Sequence, residues 1–180
     1  MATVYMVRHG KARVGDGLDP GLDDLGREQA RATAVSLSGK GPLPILSSPF
    51  ARARQTSEPL AELWKQEVTI EPRVAEIPFP TTDLAERSRW LSQAMAGSWL
   101  DLGTDLLAWR DALVDCVKSQ REDCVIFCHF IAINVAVGAA QSDDRMVIFQ
   151  PDNGSVTTFD NGNGSLRLLQ WGNEAQTRVL

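Results

Sequence analysis

The feature that most constrains the fold is an apolar run that ends abruptly in polar and flexible residues. Residues 4–7 read Val-Tyr-Met-Val, and Arg8, His9 and Gly10 follow directly. A short run of strand-forming residues without alternation is typical of a strand buried on both faces of a sheet. We therefore predict a central parallel strand over residues 3–8. Ligands of open α/β sheets bind beside the carboxyl ends of such strands, so the three following residues stand where a ligand would lie.

A second apolar run repeats this arrangement. Residues 123–128 lead directly into His129, and the chain contains only two histidines. A single histidine in apolar surroundings is more often structural than catalytic. Two histidines that each follow a predicted central strand instead favour one shared site at the carboxyl edge of the sheet.

Strand and helix signals alternate along the rest of the chain. Helices are predicted at 24–38, from Pro49 onward with a kink or split at Pro59, and at 83–96, 104–120 and 131–140. Further strands are predicted at 43–47, 68–71 and 146–150, a loop at 10–21, and a hairpin formed by 155–160 and 165–171. The pattern predicts an α/β protein, a three-layer α/β/α sandwich with a mostly parallel central sheet and a C-terminal antiparallel hairpin. We expect one domain over residues 1–180.

Charge and hydropathy exclude some classes of partner. The formal net charge of -5 argues against a general nucleic-acid or anionic-membrane binder. An anionic ligand would need a local group of cations, and candidates are Arg8, Lys11, Arg13, Arg52 and Arg54. No apolar run approaches the roughly 20 residues of a membrane span, and we expect no signal peptide, because the sequence enters a predicted strand at once without a basic region. The three cysteines form no CxxC pair, so we expect reduced thiols and a cytoplasmic location.

Three segments together carry a specific resemblance to a known family. They are Arg8-His9-Gly10, the sequence LDDLGREQA at 22–30, and SSPFARARQT at 47–56. Their combination resembles the histidine phosphatase superfamily, the phosphoglycerate-mutase-like group. Glu76 and His129 follow in the order of that family, so the resemblance extends over nearly the whole chain.

The resemblance implies a role for each site residue. His9 would be the nucleophile and would become phosphohistidine, while Arg8, Gly10, Arg52 and His129 would bind the phosphate with it. Glu76 would be the general acid, and its apolar neighbours at 77–80 would raise its pKa by desolvation. No cofactor and no metal are expected, because phosphoryl transfer depends mainly on positioning and charge stabilisation.

Two positions depart from the family pattern. Phe130 follows the second histidine, where family members usually have glycine, and Lys11-Ala12 follows the first motif, where many members have Glu-Ser or Glu-Thr. Phe130 could alter the approach to phosphate or could be a core residue. Lys11 could meet an acidic substrate or could be an exposed loop lysine.

The leading functional hypothesis is a metal-independent phosphatase of the histidine acid phosphatase type that hydrolyses phosphomonoesters. Phosphoglycerate mutase activity is less expected, because the first-loop signature of the mutases is missing. One alternative is a protein phosphohistidine phosphatase, for which Glu76 would be dispensable. Another is a non-catalytic phospholigand-binding module, a possibility that Phe130 keeps open. The expected partner is a small phosphorylated substrate or a phosphoprotein, selected by residues 11–21 and 77–103, with inorganic phosphate as product. The oligomeric state stays open.

Overall fold

A six-stranded sheet forms the centre of the molecule. The computed structural model describes residues 1–175. Its strands are β1 (Thr3–Arg8), β2 (Ile45–Ser47), β3 (Val68–Ile70), β4 (Cys124–Cys128), β5 (Val156–Asp160) and β6 (Arg167–Gln170). Their order in the sheet is β3-β2-β4-β1-β5-β6. The first four strands of this order are parallel, and β5 and β6 form an antiparallel hairpin beside β1. The predicted mostly parallel sheet with a C-terminal hairpin is confirmed.

Helices cover both faces of the sheet. They are α1 (Asp24–Leu37), α2 (Ala51–Trp64), α3 (Leu84–Met95), α4 (Thr104–Lys118) and α5 (Phe130–Gln141). One face packs against α1 and α2 through a core that includes Val7, Ile45 and Phe127. The other face packs against α4 and α5 through a larger core that includes Met6 and Ile126. Among residues 1–175, no helix combines the length and the apolar character needed to cross a bilayer.

The strand order brings separate parts of the chain to one edge. β4 lies between β1 and β2, with Arg8 paired to Cys128 and Ser47 paired to Phe127. The three parallel strands therefore end at the same level, and the residues that follow them emerge side by side. His9, Ser48 and His129 are those residues. Sequence alone left this order open, because it depends on pairings between distant segments.

One predicted strand is wrong. Residues 146–150 do not form a strand, because the backbone N–H groups of Ile148 and Phe149 bond to the Asn134 side-chain oxygen at 2.8 and 3.2 Å. Of the kink or split predicted at Pro59, the split does not occur, since α2 continues to Trp64. Leu60 and Trp64 bury their side chains beyond the proline, and this burial outweighs the loss of one helical hydrogen bond.

Candidate active site

His9 directly follows β1 and has a defined tautomer. Its Nδ1 lies 2.7 Å from the carbonyl oxygen of Gly10. Because a carbonyl oxygen only accepts, Nδ1 carries the proton, and Nε2 accepts a 3.2 Å hydrogen bond from Nε of Arg52. Burial and the nearby charge of Arg52 lower the pKa of His9 to about 3. At neutral pH the ring is uncharged and its Nε2 lone pair faces the site.

Two hydrogen bonds and the close approach of α1 fix the backbone around His9. The Gly10 N–H donates to Oγ1 of Thr56 at 2.9 Å, and the Asn153 amide donates to the carbonyl oxygen of His9 at 2.9 Å. A Cβ on Gly10 would lie 2.5 Å from the carbonyl oxygen of Gly26. Glycine is required at position 10 because the backbone of α1 passes directly against it.

Arg52 lies in the first turn of α2, with its guanidinium at the centre of the site. Its Nη2 lies 3.4 Å from Oε2 of Glu76, while its Nε bonds to His9. The helix start is capped by Asp19 from the 10–21 loop, which accepts a 2.9 Å bond from the Ala51 N–H. The amino end of a 14-residue helix adds positive potential beside this arginine. Arg54, also a candidate cation for an anionic ligand, is exposed.

Glu76 follows β3 and a short 3₁₀ turn, and its side chain is 14% exposed. Its Oε1 accepts a 3.0 Å bond from the Ile77 N–H, so Oε2 is the oxygen that faces the site. Oε2 lies 3.4 Å from Arg52 and 3.5 Å from Nδ1 of His129. Burial raises the pKa of Glu76, against the opposing charge of Arg52. The direction of this shift favours a protonated, proton-donating carboxyl.

His129 is fully buried at the start of α5, and its ring centroid lies 5.2 Å from that of His9. Its Nε2 lies 2.7 Å from Oγ of Ser48, and Ser48 Oγ also accepts a 3.2 Å bond from the Phe50 N–H. Among residues 1–175, the Ser48 hydroxyl proton has only Nε2 of His129 as acceptor. We therefore assign the Nδ1–H tautomer to His129. Burial and the nearby cations hold its pKa well below 6.5, so the ring is a neutral donor.

Arg8 lies against the ring of Phe130, the residue that departs from the family pattern. Its guanidinium carbon lies 5.2 Å from the centre of the Phe130 ring, and its Nη1 donates to the carbonyl oxygen of Pro151 at 2.8 Å. Nε of Arg8 has no partner among residues 1–175. The partly buried Phe130 ring therefore positions this cation. Lys11 is exposed and lies 3.5 Å from Asp23, which agrees with its interpretation as a loop lysine.

All five side chains predicted for the site meet in one crevice: Arg8, His9, Arg52, Glu76 and His129. Sequence reasoning missed the contact of Ser48 with His129. It also missed Thr56 and Asn153, which hold the backbone of the first motif. Thr56 lies one helical turn after Arg52, and this spacing was the available signal.

The fold and the site define an α/β protein with two neighbouring histidines at the carboxyl edge of its central sheet. Residues 4–174 match the family model of the histidine phosphatase superfamily (branch 1), and the chain belongs to this family. The family named from the sequence motifs is thereby confirmed.

Three similar proteins illustrate the relationship. Glucosyl-3-phosphoglycerate phosphatase of Mycolicibacterium vanbaalenii is 38% identical over 116 residues, which cover 60% of this chain and 47% of that protein. A probable phosphoglycerate mutase GpmB of Serratia proteamaculans is 34% identical over 161 residues, 76% of this chain and 74% of that protein. The match to the Mycolicibacterium protein spans only about half the length of that relative. Mycobacterial glucosyl-3-phosphoglycerate phosphatase in complex with inorganic phosphate shares the fold, with a TM-score of 0.76, 23% identity and coverage of 99% and 100%.

Proposed function

We propose that this protein is a metal-independent phosphatase that hydrolyses phosphomonoesters through a phosphohistidine on His9. The observation that carries the proposal is the tautomer of His9. Its Nδ1–H is committed to Gly10 at 2.7 Å, so a neutral Nε2 faces Arg52, whose guanidinium also contacts Glu76. Membership of the histidine phosphatase superfamily and the phosphatase names of relatives support the same reaction class.

In the first step, the Nε2 lone pair of His9 attacks phosphorus and the bond to the leaving oxygen breaks. Arg8, Arg52 and the Nδ1–H of His129 donate to the phosphoryl oxygens, where they supply the charge stabilisation that phosphoryl transfer requires. Arg52 exchanges its bond to Nε2 for bonds to phosphate. Glu76 gives its proton to the leaving oxygen, so an alcohol departs.

In the second step, water attacks the phosphorus of phosphohistidine. The Glu76 carboxylate accepts a proton from this water, and the N–P bond breaks. Inorganic phosphate leaves, while His9 returns to its neutral form and Glu76 to its protonated form. Gly10 keeps the ring oriented throughout, because its carbonyl oxygen holds Nδ1–H in both steps.

The experiment compares wild type with His9→Ala, Glu76→Gln and the exposed control Glu58→Gln on phenyl phosphate and on an alkyl phosphate, with EDTA present. We expect no turnover in His9→Ala and a loss of about 10²- to 10⁴-fold in Glu76→Gln on the alkyl ester. Glu58→Gln should match wild type. Quenched reactions should contain acid-labile phosphate on the wild-type protein and none on His9→Ala.

Each other outcome contradicts a definite part of the proposal. Turnover that disappears with EDTA would contradict the metal-independent mechanism. Full alkyl-ester activity in Glu76→Gln would contradict the general acid and favour a phosphohistidine phosphatase. Phosphate binding by calorimetry without turnover of any ester would indicate a binding module.

A further inference from the structure

A cavity of about 360 Å³ opens beside Arg52, between the 10–21 loop and helix α3. The 10–21 loop forms one wall with Leu18 and Pro20. Phe79 and helix α3 form the other wall, and both walls belong to the segments predicted to select the substrate. Leu18 and Leu84 line the cavity although they are 45% and 51% exposed. A bound organic group would cover this apolar surface.

One cation in this cavity has no role in the proposed phosphoryl transfer. The guanidinium carbon of Arg87 lies 3.9 Å from the centre of the Phe79 ring. Phe79 in turn packs edge-to-face on Trp90, with ring centroids 5.7 Å apart. Stacking on a ring restricts a guanidinium while leaving its N–H edge free to donate.

Arg87 lacks an anionic partner among residues 1–175. Other arginines of the protein are neutralised by close carboxylates, for example Arg73 by Glu71 at 2.7 Å and Arg145 by Asp143. Arg87 forms no ion pair and no side-chain hydrogen bond with the described residues, although it is only partly exposed. A cation that is stacked, half-buried and unpaired inside a cavity fits an anionic ligand.

We infer that Arg87 binds a second anionic group of the substrate, a carboxylate or a phosphate carried by the leaving group. The substrate class is then a phosphomonoester with a partly apolar body and an anion at its far end. Arg52 would bind the transferred phosphoryl group and Arg87 the distal anion, with Phe79, Leu84 and Leu91 around the body between them. This inference rests on the proposed function, since it assigns the leaving-group side of the same site.

The test uses matched pairs of aryl phosphates. The 3- and 4-carboxyphenyl phosphates are compared with their carboxamides, which have a similar shape but no charge on the ring substituent. 1,4-Phenylene bisphosphate supplies phosphate as the second anion. Each is assayed for kcat/KM with wild type, Arg87→Met and Arg89→Met. Methionine keeps an apolar side chain on Phe79, and Arg89 is an exposed arginine on the same helix that does not line the cavity.

Wild type should favour at least one ester with a second anionic group by about 10-fold or more, as expected for a charge-assisted hydrogen bond. The reference is the carboxamide for each carboxylate and phenyl phosphate for the bisphosphate. Arg87→Met should lose this preference while its kcat/KM on the carboxamides stays within about 2-fold of wild type. Arg89→Met should keep the preference. The ester that shows the preference distinguishes carboxylate from phosphate.

Absence of any preference in wild type, or a preference that survives in Arg87→Met, would overturn the inference. Calorimetric binding of the same esters to the His9→Ala protein gives a second readout that needs no turnover. If no ester is hydrolysed but carboxylated esters bind more tightly in an Arg87-dependent manner, the proposed function fails and the anion site stands. If esters are hydrolysed but show no Arg87-dependent preference for a second anion, the proposed function stands and the anion site fails.

Discussion

Burial shifts the pKa values of two site residues in opposite directions. It raises the pKa of Glu76 and lowers that of His9 to about 3, because a desolvated group favours its uncharged form. The acid thus keeps a proton and the nucleophile lacks one in the same pH range. This pairing is what an attack by His9 with proton donation by Glu76 requires.

The ionisation of His9 and Glu76 predicts how kcat on an alkyl phosphate depends on pH. Activity should persist well below pH 6.5, since His9 stays neutral until about pH 3. It should fall as pH rises through the raised pKa of Glu76. In Glu76→Gln this fall of kcat with rising pH should disappear. Any pH dependence that remains should come from ionisation of the substrate. Identical profiles for wild type and Glu76→Gln would contradict the assigned acid.

We also predict that the Ser48 hydroxyl sets the tautomer of His129. Ser48→Ala removes the donor to Nε2 and allows the Nε2–H form, which turns Nδ1 from a donor into an acceptor. We expect kcat to fall about 10-fold or more, with a smaller change in KM, because a buried hydrogen bond is lost. ¹⁵N NMR of His129 should show the Nδ1–H form in wild type and a mixture in Ser48→Ala.

The control for this prediction is Ser57→Ala. Ser57 is equally buried on α2, but its hydroxyl donates to the Arg54 carbonyl oxygen at 2.6 Å and touches no site residue. Its kcat and its His129 spectrum should match wild type. An unchanged spectrum in Ser48→Ala would show that another contact sets the tautomer.

Much of the site could be predicted from sequence at this scale. Arg8, His9 and His129 stand out because they follow apolar runs, and the family motifs add Arg52 and Glu76. The contact of Ser48 with His129 could not be predicted. It depends on β2 lying beside β4, and serine before a proline is explained equally well as a helix cap.

At the scale of secondary-structure elements, α1 supports the site through two glycines. Gly10 and Gly26 face each other, and a Cβ on Gly26 would overlap the carbonyl oxygen of Lys11. Asp23 caps α1 through a 2.7 Å bond from the Gly26 N–H, which fixes the first turn at this point of contact. The helix start and the histidine loop therefore hold each other in place.

We predict that Gly26→Ala destabilises the protein although alanine is the better helix former. The overlap should cost about 1–3 kcal/mol, more than the local gain of about 1 kcal/mol. It should also lower kcat, because Lys11 follows the first motif directly. Gly39→Ala, where a Cβ meets no atom within 4 Å, should change stability by less than about 0.5 kcal/mol. Urea unfolding of both variants tests this, and equal stability would contradict the close approach.

The strands and turns that could be predicted are those whose structure is determined by their own local sequence. β1 and β4 follow from their apolar runs, and the β5–β6 hairpin from its Asn-Gly turn. Residues 146–150 carry an equally apolar pattern but form no strand. The N–H groups of Ile148 and Phe149 are satisfied by Asn134, a side chain of another element, and no local pattern encodes such a bond.

At the scale of the whole molecule, the two histidines make stability depend on pH. Both have pKa values below the ordinary 6.5 in the folded protein, so the unfolded chain binds more protons as pH falls. The free energy of unfolding should therefore decrease below about pH 6.5, by up to about 1.4 kcal/mol per pH unit for each histidine. Glu76 acts in the opposite direction, because its raised pKa contributes stability at low pH that is lost as pH rises.

The measurement is urea unfolding from pH 4.5 to 7 for wild type and His9→Gln. The variant should lose the slope that belongs to one histidine, while the contribution of the surface carboxylates stays the same in both proteins. Equal slopes would show that His9 has the same pKa in the folded and unfolded states, which contradicts the lowered pKa.

The insertion of β4 between β1 and β2 has a consequence for how the protein acquires activity. His9 and Arg52 are made early in synthesis, but the strand that separates β1 from β2 is completed only at Cys128. A ribosome-bound chain that stops before β4 therefore contains the nucleophile without the catalytic crevice. Because this long-range pairing is slow compared with helix formation, recovery of activity during refolding should lag behind recovery of the helical circular-dichroism signal.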